Sequence, residues 1–275
     1  MKNSMLFTRF IGRKSRSMTQ AVLFLAILLL AVSCKKTGSP DINLEQSGHP
    51  LASKILAPGM GTVGLIQDRK VFVYFLNENY RWVLDKLSQF TIPEKNQGLI
   101  AMGIGTIGVI EDKQIKFYSL DAYNNWVSEE RFTFELPKSY DRLVSVKMPW
   151  EIGILALEDN GFLEFYYLNQ EGHWFHDETA VFEIPQGINN YFSLGNMTIA
   201  VVDDHRLGLY YLHPEGGWEF MDDYVLRLPE GYDAIIPWEP GIMAVLIGKV
   251  LEFYELDLIE ERWIMDEDMR FELPI

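Results

Sequence analysis

The sequence predicts an all-β domain made of five copies of one four-stranded antiparallel unit, and three regularities carry that prediction. Trp82, Trp126, Trp174, Trp218 and Trp263 stand 44, 48, 44 and 45 residues apart. Pro93, Pro137, Pro185, Pro229 and Pro274 each follow a tryptophan by eleven residues. Tyr74, Tyr118, Tyr166, Tyr210 and Tyr254 precede the tryptophans by eight residues, or by nine in the last copy. Five copies fill residues 52–275, and self-similarity at this period marks one repeat architecture rather than several domains.

Each copy reads as strands. In "IKFYSL", Ile115 and Phe117 point one way and Tyr118 and Leu120 the other, so both faces are apolar and the strand is buried on both sides. The strand before it carries a small residue, Gly64, Gly108, Ala156, Ala200 or Ala244. Four residues later stands a turn former, Asp68, Asp112, Asn160, Asp204 or Gly248, which predicts a tight hairpin. A short apolar segment such as "GLIAMG" supplies one more strand. The stretch from tryptophan to proline supplies the outer one; "RFTFELP" alternates, with Phe132, Phe134 and Leu136 on one face. A sustained 3.6-residue period, the mark of a helix, is missing from residues 34–275.

Four antiparallel strands in about 44 residues, repeated, resemble the blade of a β-propeller with WD-type strand layout. The resemblance covers nearly the whole of residues 52–275, although the WD dipeptide and Gly-His pair of that layout are missing. It implies a five-bladed ring. Residues 52–59 are expected to complete the blade of residues 241–275, closing the ring by strand exchange and removing open edges.

"GMGTVGLI" and "GIGTIGVI" each contain G-x-G-x-x-G. A dinucleotide site needs a helix after the glycines, within a βαβ unit. A hairpin follows here within five residues, so no cofactor is expected. Gly64 and Gly108 align with Ala156, Ala200 and Ala244, and the expectation is that all five crowd the strand nearest the ring axis.

Residues 1–33 read as an export signal: Lys2, Arg9, Arg13, Lys14 and Arg16, then the apolar run "AVLFLAILLLAV". The single cysteine follows in "LLAVSC", which resembles a bacterial lipobox. That resemblance implies a lipidated Cys34, and with it a protein of the cell envelope, anchored to a membrane, with the outer membrane favoured. Residues 34–51 are then a tether of up to roughly 50 Å. Without the five basic residues of the signal, 19 basic residues face 39 acidic ones, a net charge of −20. This field argues against nucleic acid and anionic headgroups as partners.

Candidate binding residues lie where copies differ. "PWE" occurs twice at one repeat position, placing Trp150 and Glu151 of copy three and Trp238 and Glu239 of copy five at one mouth of the central channel. Indoles suit stacking on sugars and carboxylates accept hydroxyl bonds. The polar turns ahead of each tryptophan open on the same face and add Tyr80 and Tyr123. His173 and His176 form "HWFH", but residues three apart on a strand face opposite sides, so no metal site is expected. The resulting reading is a non-catalytic binding or assembly module for an envelope protein or a glycan. The alternative, by analogy with five-bladed enzymes, is glycoside chemistry using Glu151 and Glu239, which needs carboxyl groups roughly 5 to 9.5 Å apart. Oligomeric state and ligand identity are left open by the sequence.

Overall fold

Strand order follows chain order in every sheet. The computed structural model describes residues 50–275, apart from Met60, Ile104, 147–153, Gln170, Asn189, Pro214 and Ile275. The signal, Cys34 and most of the tether lie outside the described residues. Blade 1 comprises β1 (Ile55–Gly59), β2 (Thr62–Gln67), β3 (Lys70–Leu76) and β4 (Trp82–Thr91). Blade 2 has β5 (Gly98–Gly103), β6 (Thr106–Glu111), β7 (Gln114–Leu120) and an outer strand in two pieces, β8 (Trp126–Ser128) and β9 (Phe134–Glu135). Blade 3 has β10 (Arg142–Val146), β11 (Ile154–Asp159), β12 (Phe162–Leu168) and β13 (Trp174–Glu183). Blade 4 has β14 (Asn190–Gly195), β15 (Thr198–Asp203), β16 (Arg206–Leu212) and the pieces β17 (Trp218–Phe220) and β18 (Leu226–Arg227). Blade 5 has β19 (Ala234–Glu239), β20 (Ile242–Ile247), β21 (Val250–Asp257) and β22 (Arg262–Glu272). All pairings are antiparallel. The protein is a five-bladed β-propeller.

The predicted hairpin turns form as expected. Asp68, Asp112, Asn160, Asp204 and Gly248 all adopt positive φ, between 47° and 60°, where Asp, Asn and Gly are tolerated best.

The first strands β1, β5, β10, β14 and β19 neighbour one another in a closed circuit, which makes them the innermost strands. The five small residues therefore sit one strand further out than expected, on β2, β6, β11, β15 and β20. Their smallness has a local cause. Gly108 lies between Ile100 and Phe117, and Ala200 between Phe192 and Leu209. A Cβ on Gly64 would stand 2.7 Å from Val71 Cγ1, and one on Gly108 would stand 2.6 Å from Ile100 Cγ1. The crowding comes from large neighbours on the same sheet face, not from convergence at the axis.

One face of each blade is covered by the next blade and the other by the preceding one. The repeat tryptophan stands at the start of each outer strand and lays its indole on the preceding blade. Trp174 packs on Phe117 and Phe134, with ring centroids 5.8 and 5.1 Å away. Trp218 packs likewise on Phe165 and Phe182. Four of the indoles also donate to a backbone carbonyl of that preceding blade: Trp82 to Met269, Trp126 to Ser88, Trp174 to Phe132 and Trp263 to Tyr224, at 2.8–3.1 Å. Trp218 Nε1 is buried without such a partner.

Ring closure takes a different form from the strand exchange expected of residues 52–59. β1 hydrogen-bonds to β2 within blade 1, and blade 5 draws all four strands from its own copy. Ala52, Ile55 and Ala57 instead pack face to face against Ala234, Ile236 and Trp238. The outer strands also depart from uniform alternation. In blades 1, 3 and 5, Asp85, Asp177 and Asp266 each accept the backbone N–H two residues on, at 2.8–3.0 Å. In blades 2 and 4, short 3₁₀ turns at Glu130–Phe132 and Asp222–Tyr224 interrupt the strand. Phe132 is thus in a turn, while Phe134 and Leu136 are buried as predicted.

Two measurements check this packing. Trp126→Phe and Trp218→Phe remove similar ring volume, but only the first breaks an N–H···O bond. Trp126→Phe is expected to be the more destabilising by about 1 kcal/mol, or roughly 2–4 °C in Tm; equal losses would mean the indole bonds contribute nothing. Burial raises the phenol pKa of Tyr140, Tyr167 and Tyr191 above the ordinary value, and hydrogen bonds to Tyr166 and Glu158 reinforce this for Tyr140 and Tyr191. The neutral phenol is the form held in the fold, so this stability is intact below pH about 10 and is lost as pH rises past it. In an alkaline titration, part of the phenolate absorbance should appear only together with loss of near-UV circular dichroism.

Candidate functional site

Antiparallel order puts two sets of turns at the same end of every blade: those joining first to second strands, around the axis, and those joining third to fourth strands, at the rim. The glycine motifs belong to the inner set. Gly59 and Gly61 have φ of 91° and 68°, and Gly103 and Gly105 of 88° and 68°, a region that Cβ-bearing residues largely avoid. The first two glycines of each motif make the turn, and the third lies under crowded neighbours. The inner turns are also stitched to one another. Gly105 N–H donates to Pro58 O at 2.9 Å, and Gly241 N–H to Leu194 O at 2.8 Å. Each bond reaches the preceding blade.

At the seam between blades 5 and 1, where no chain connects the two, side chains make this link. Glu239 Oε1 accepts the Gly61 N–H at 2.6 Å, and Trp238 Nε1 donates to Thr62 O at 2.7 Å. Trp238 is 2% exposed and packs on Phe253 with a 4.4 Å centroid distance. This corrects the expectation that Trp238 offers its face to a ligand. The alternation along "AIIPWE" puts Ala234, Ile236 and Trp238 on the face turned to blade 1, so the indole is drawn into the interface. Glu239 is held by the neighbouring turn. Trp150 and Glu151, the matching pair of blade 3, lie outside the described residues.

The inner strands bury apolar side chains in the interfaces between blades: Ile55, Ile100, Val144, Phe192 and Ile236 are all under 10% exposed. The rim is different. Tyr80 is 55% exposed and Tyr123 is 83% exposed. The structure thus brings Tyr80 and Tyr123 to one rim on adjacent blades, and buries Trp238 away from it. Sequence reasoning missed two further rim residues, Leu258 and Ile259, both well exposed in the turn of blade 5. A signal existed: that turn is one residue longer than the others, as the nine-residue spacing from Tyr254 to Trp263 records.

On the opposite end, Lys95, Glu111, Asp112, Lys113, Gln114, Lys116 and Glu135 line an open polar depression of about 240 Å³ on blade 2. Lys116 Nζ there donates to Glu111 Oε2 at 2.6 Å. His176 stacks on Tyr166 at 4.9 Å, and His173 lies in the turn of blade 3, where its backbone N–H donates to Asn169 Oδ1. Among the described residues no group of three or more His, Cys, Asp or Glu could hold a metal ion, and no helix is long and apolar enough to cross a membrane.

No family model matches the chain, and no curated protein matches it. Solved structures do. One from Lactobacillus plantarum aligns over 78% of this chain and 68% of its own, with 8% identity and a TM-score of 0.39. A functionally unknown protein from Desulfotomaculum acetoxidans aligns over 79% and 68%, with 10% identity and a TM-score of 0.39. Kluyveromyces lactis Hsv2p aligns over 80% and 98%, with 9% identity and a TM-score of 0.39. Likeness at this level adds nothing to the strand pairing described above.

The seam assignment has a direct check in urea unfolding. Glu239→Ala strips the acceptor from the Gly61 N–H and is expected to cost about 1–3 kcal/mol. Glu239→Gln keeps a carbonyl oxygen and should cost less. Stability unchanged by Glu239→Ala would release that carboxylate for other work.

Proposed function

We propose that the protein is a lipid-anchored module of a bacterial envelope, tethered through Cys34, that binds a protein or glycan partner without chemistry of its own. The propeller fold is compatible with a binding or assembly role. The observation that carries the reading is the contrast between inner strands buried against neighbouring blades and a rim with exposed tyrosines at 55% and 83%. A rigid ring that buries its inner strands and presents aromatic side chains on turns has the arrangement of a recognition surface. The export segment and the cysteine after it support an anchored location, and the net charge of −20 supports cationic or neutral partners. The outer membrane is the favoured site of anchoring.

Two arms test this. Cys34→Ser should move the protein from the membrane to the soluble fraction of the envelope and abolish fatty-acid labelling; continued labelling would remove the anchor. Crosslinking and capture of the lipidated form from its native envelope, with a glycan array beside it, should return a partner reproducibly. Tyr80→Ser/Tyr123→Ser should weaken that capture at least about fivefold, whereas unchanged capture would place the surface elsewhere.

A further inference from the structure

Exposed apolar side chains gather at one part of the rim. Blades 5, 1 and 2 are consecutive wedges, and their third-to-fourth-strand turns open at the same end. Their tips carry Leu258 and Ile259, 65% and 81% exposed, then Tyr80, then Tyr123. The residue after each repeat tryptophan extends the surface: Ile264, Val83 and Val127 are all exposed. Blades 3 and 4 break the pattern. Their tips are Glu171-Gly172 and Glu215-Gly216, and the residues after the tryptophans are Phe175, which stacks on Tyr167, and Glu219.

One of these tips stands in a backbone region that bulky side chains avoid. The left-handed position of the turn is Gly172 in blade 3 and Gly216 in blade 4, and Asn124 in blade 2. In blade 5 it is Glu261, with φ of 50°, and in blade 1 it is Tyr80, with φ of 55°. A bulky residue is disfavoured there.

Two features define what such a surface fits. Aliphatic tips have neither the flat ring face nor the polar groups that hold a sugar, so Leu258 and Ile259 favour polypeptide side chains. Around them, Glu78, Asp121, Asp257, Glu260 and Glu261 stand against Arg81 and Arg262. A surface of that sign repels anionic lipid and attracts cationic groups. We infer that the rim of blades 5, 1 and 2 docks a basic, apolar polypeptide segment of a partner protein. This rests on the binding-module reading above and specifies its partner.

The full chain carrying Cys34→Ser is titrated with a synthetic peptide of alternating leucine and lysine, and with a leucine–glutamate peptide of equal length. The lysine peptide should bind and the glutamate peptide should not, with affinity falling as salt rises. Adding Leu258→Ser, Ile259→Ser and Tyr80→Asn should weaken binding at least about tenfold, with no drop in Tm, because Asn suits the left-handed position. Adding Leu87→Ser instead, which alters an exposed residue on the outer strand of blade 1, should leave affinity unchanged. Equal binding by the rim variant overturns the inference. So does flotation with phosphatidylglycerol vesicles, or a sedimentation dimer, that the rim variant alone loses, since the occupant would then be a membrane or a second copy. The module reading survives those results and falls separately, if capture from the native envelope returns no partner.

Discussion

A sheet that is apolar on both faces cannot stand alone in water, and that constraint governs this protein. Each blade buries one face only when the next blade covers it, and the last must cover the first. Burying one large apolar side chain is worth about 1.5–3 kcal/mol, and each interface contains many, so an open arc of blades would leave two such faces exposed. Closure follows from the blades themselves, without a shared strand. The repeat tryptophan is the unit of this economy: its ring covers the phenylalanines of the preceding blade, and in four of five interfaces its N–H satisfies a carbonyl there. A buried Trp usually finds such a partner; Trp218 is the repeat tryptophan that lacks one.

The seam is where closure meets its hardest case, because blades 5 and 1 have no connecting peptide between them. At the inner turns between blades 1 and 2 and between blades 4 and 5, a backbone carbonyl of one blade takes a glycine N–H of the next. At the seam a carboxylate does so, and an indole returns a bond in the opposite direction. Charge-assisted bonds are the stronger kind. The "PWE" of the last copy is thereby accounted for by architecture, without a ligand.

How far the sequence could be read follows from what each signal reports. The number of blades, the strands within them, the hairpin turns at Asp68 and its equivalents, and the packing role of the tryptophans were legible because they recur, and recurrence reflects a shared local environment. The placement of Gly64 and Gly108 was half legible. A missing Cβ records crowding but not its direction, and both a converging axis and flanking Leu56 or Ile100 leave the same trace. The closure expected of residues 52–59 differs from the one found because an opening strand with no earlier neighbour reads as a partner for the last copy, whereas burial against blade 5 leaves no mark on pairing. For Trp238 the alternation with Ala234 and Ile236 was present in the sequence, and it pointed to an interface. The aliphatic tip of blade 5 was passed over because a turn rich in acid reads as polar unless its extra residue is noticed.

Residues that every blade shares are occupied in holding the ring. Those left free to do anything else are the ones that break the repeat, and the turns at the rim are where such breaks fall. Outer edges are kept from recruiting stray strands by other means: aspartate-capped bulges in blades 1, 3 and 5 and interrupted strands in blades 2 and 4, both of which spoil a flat pairing edge. With the inner strands buried between blades and the edges blunted, exposed apolar surface at the rim is not an overflow from the core. A tyrosine held at positive φ, where two sister blades use glycine, is disfavoured by roughly 1–2 kcal/mol on steric grounds. Bonds from the Asn79 and Arg81 N–H groups to Asn77 Oδ1 hold the turn in that shape, and the phenol ring it carries stands exposed where a partner can reach it.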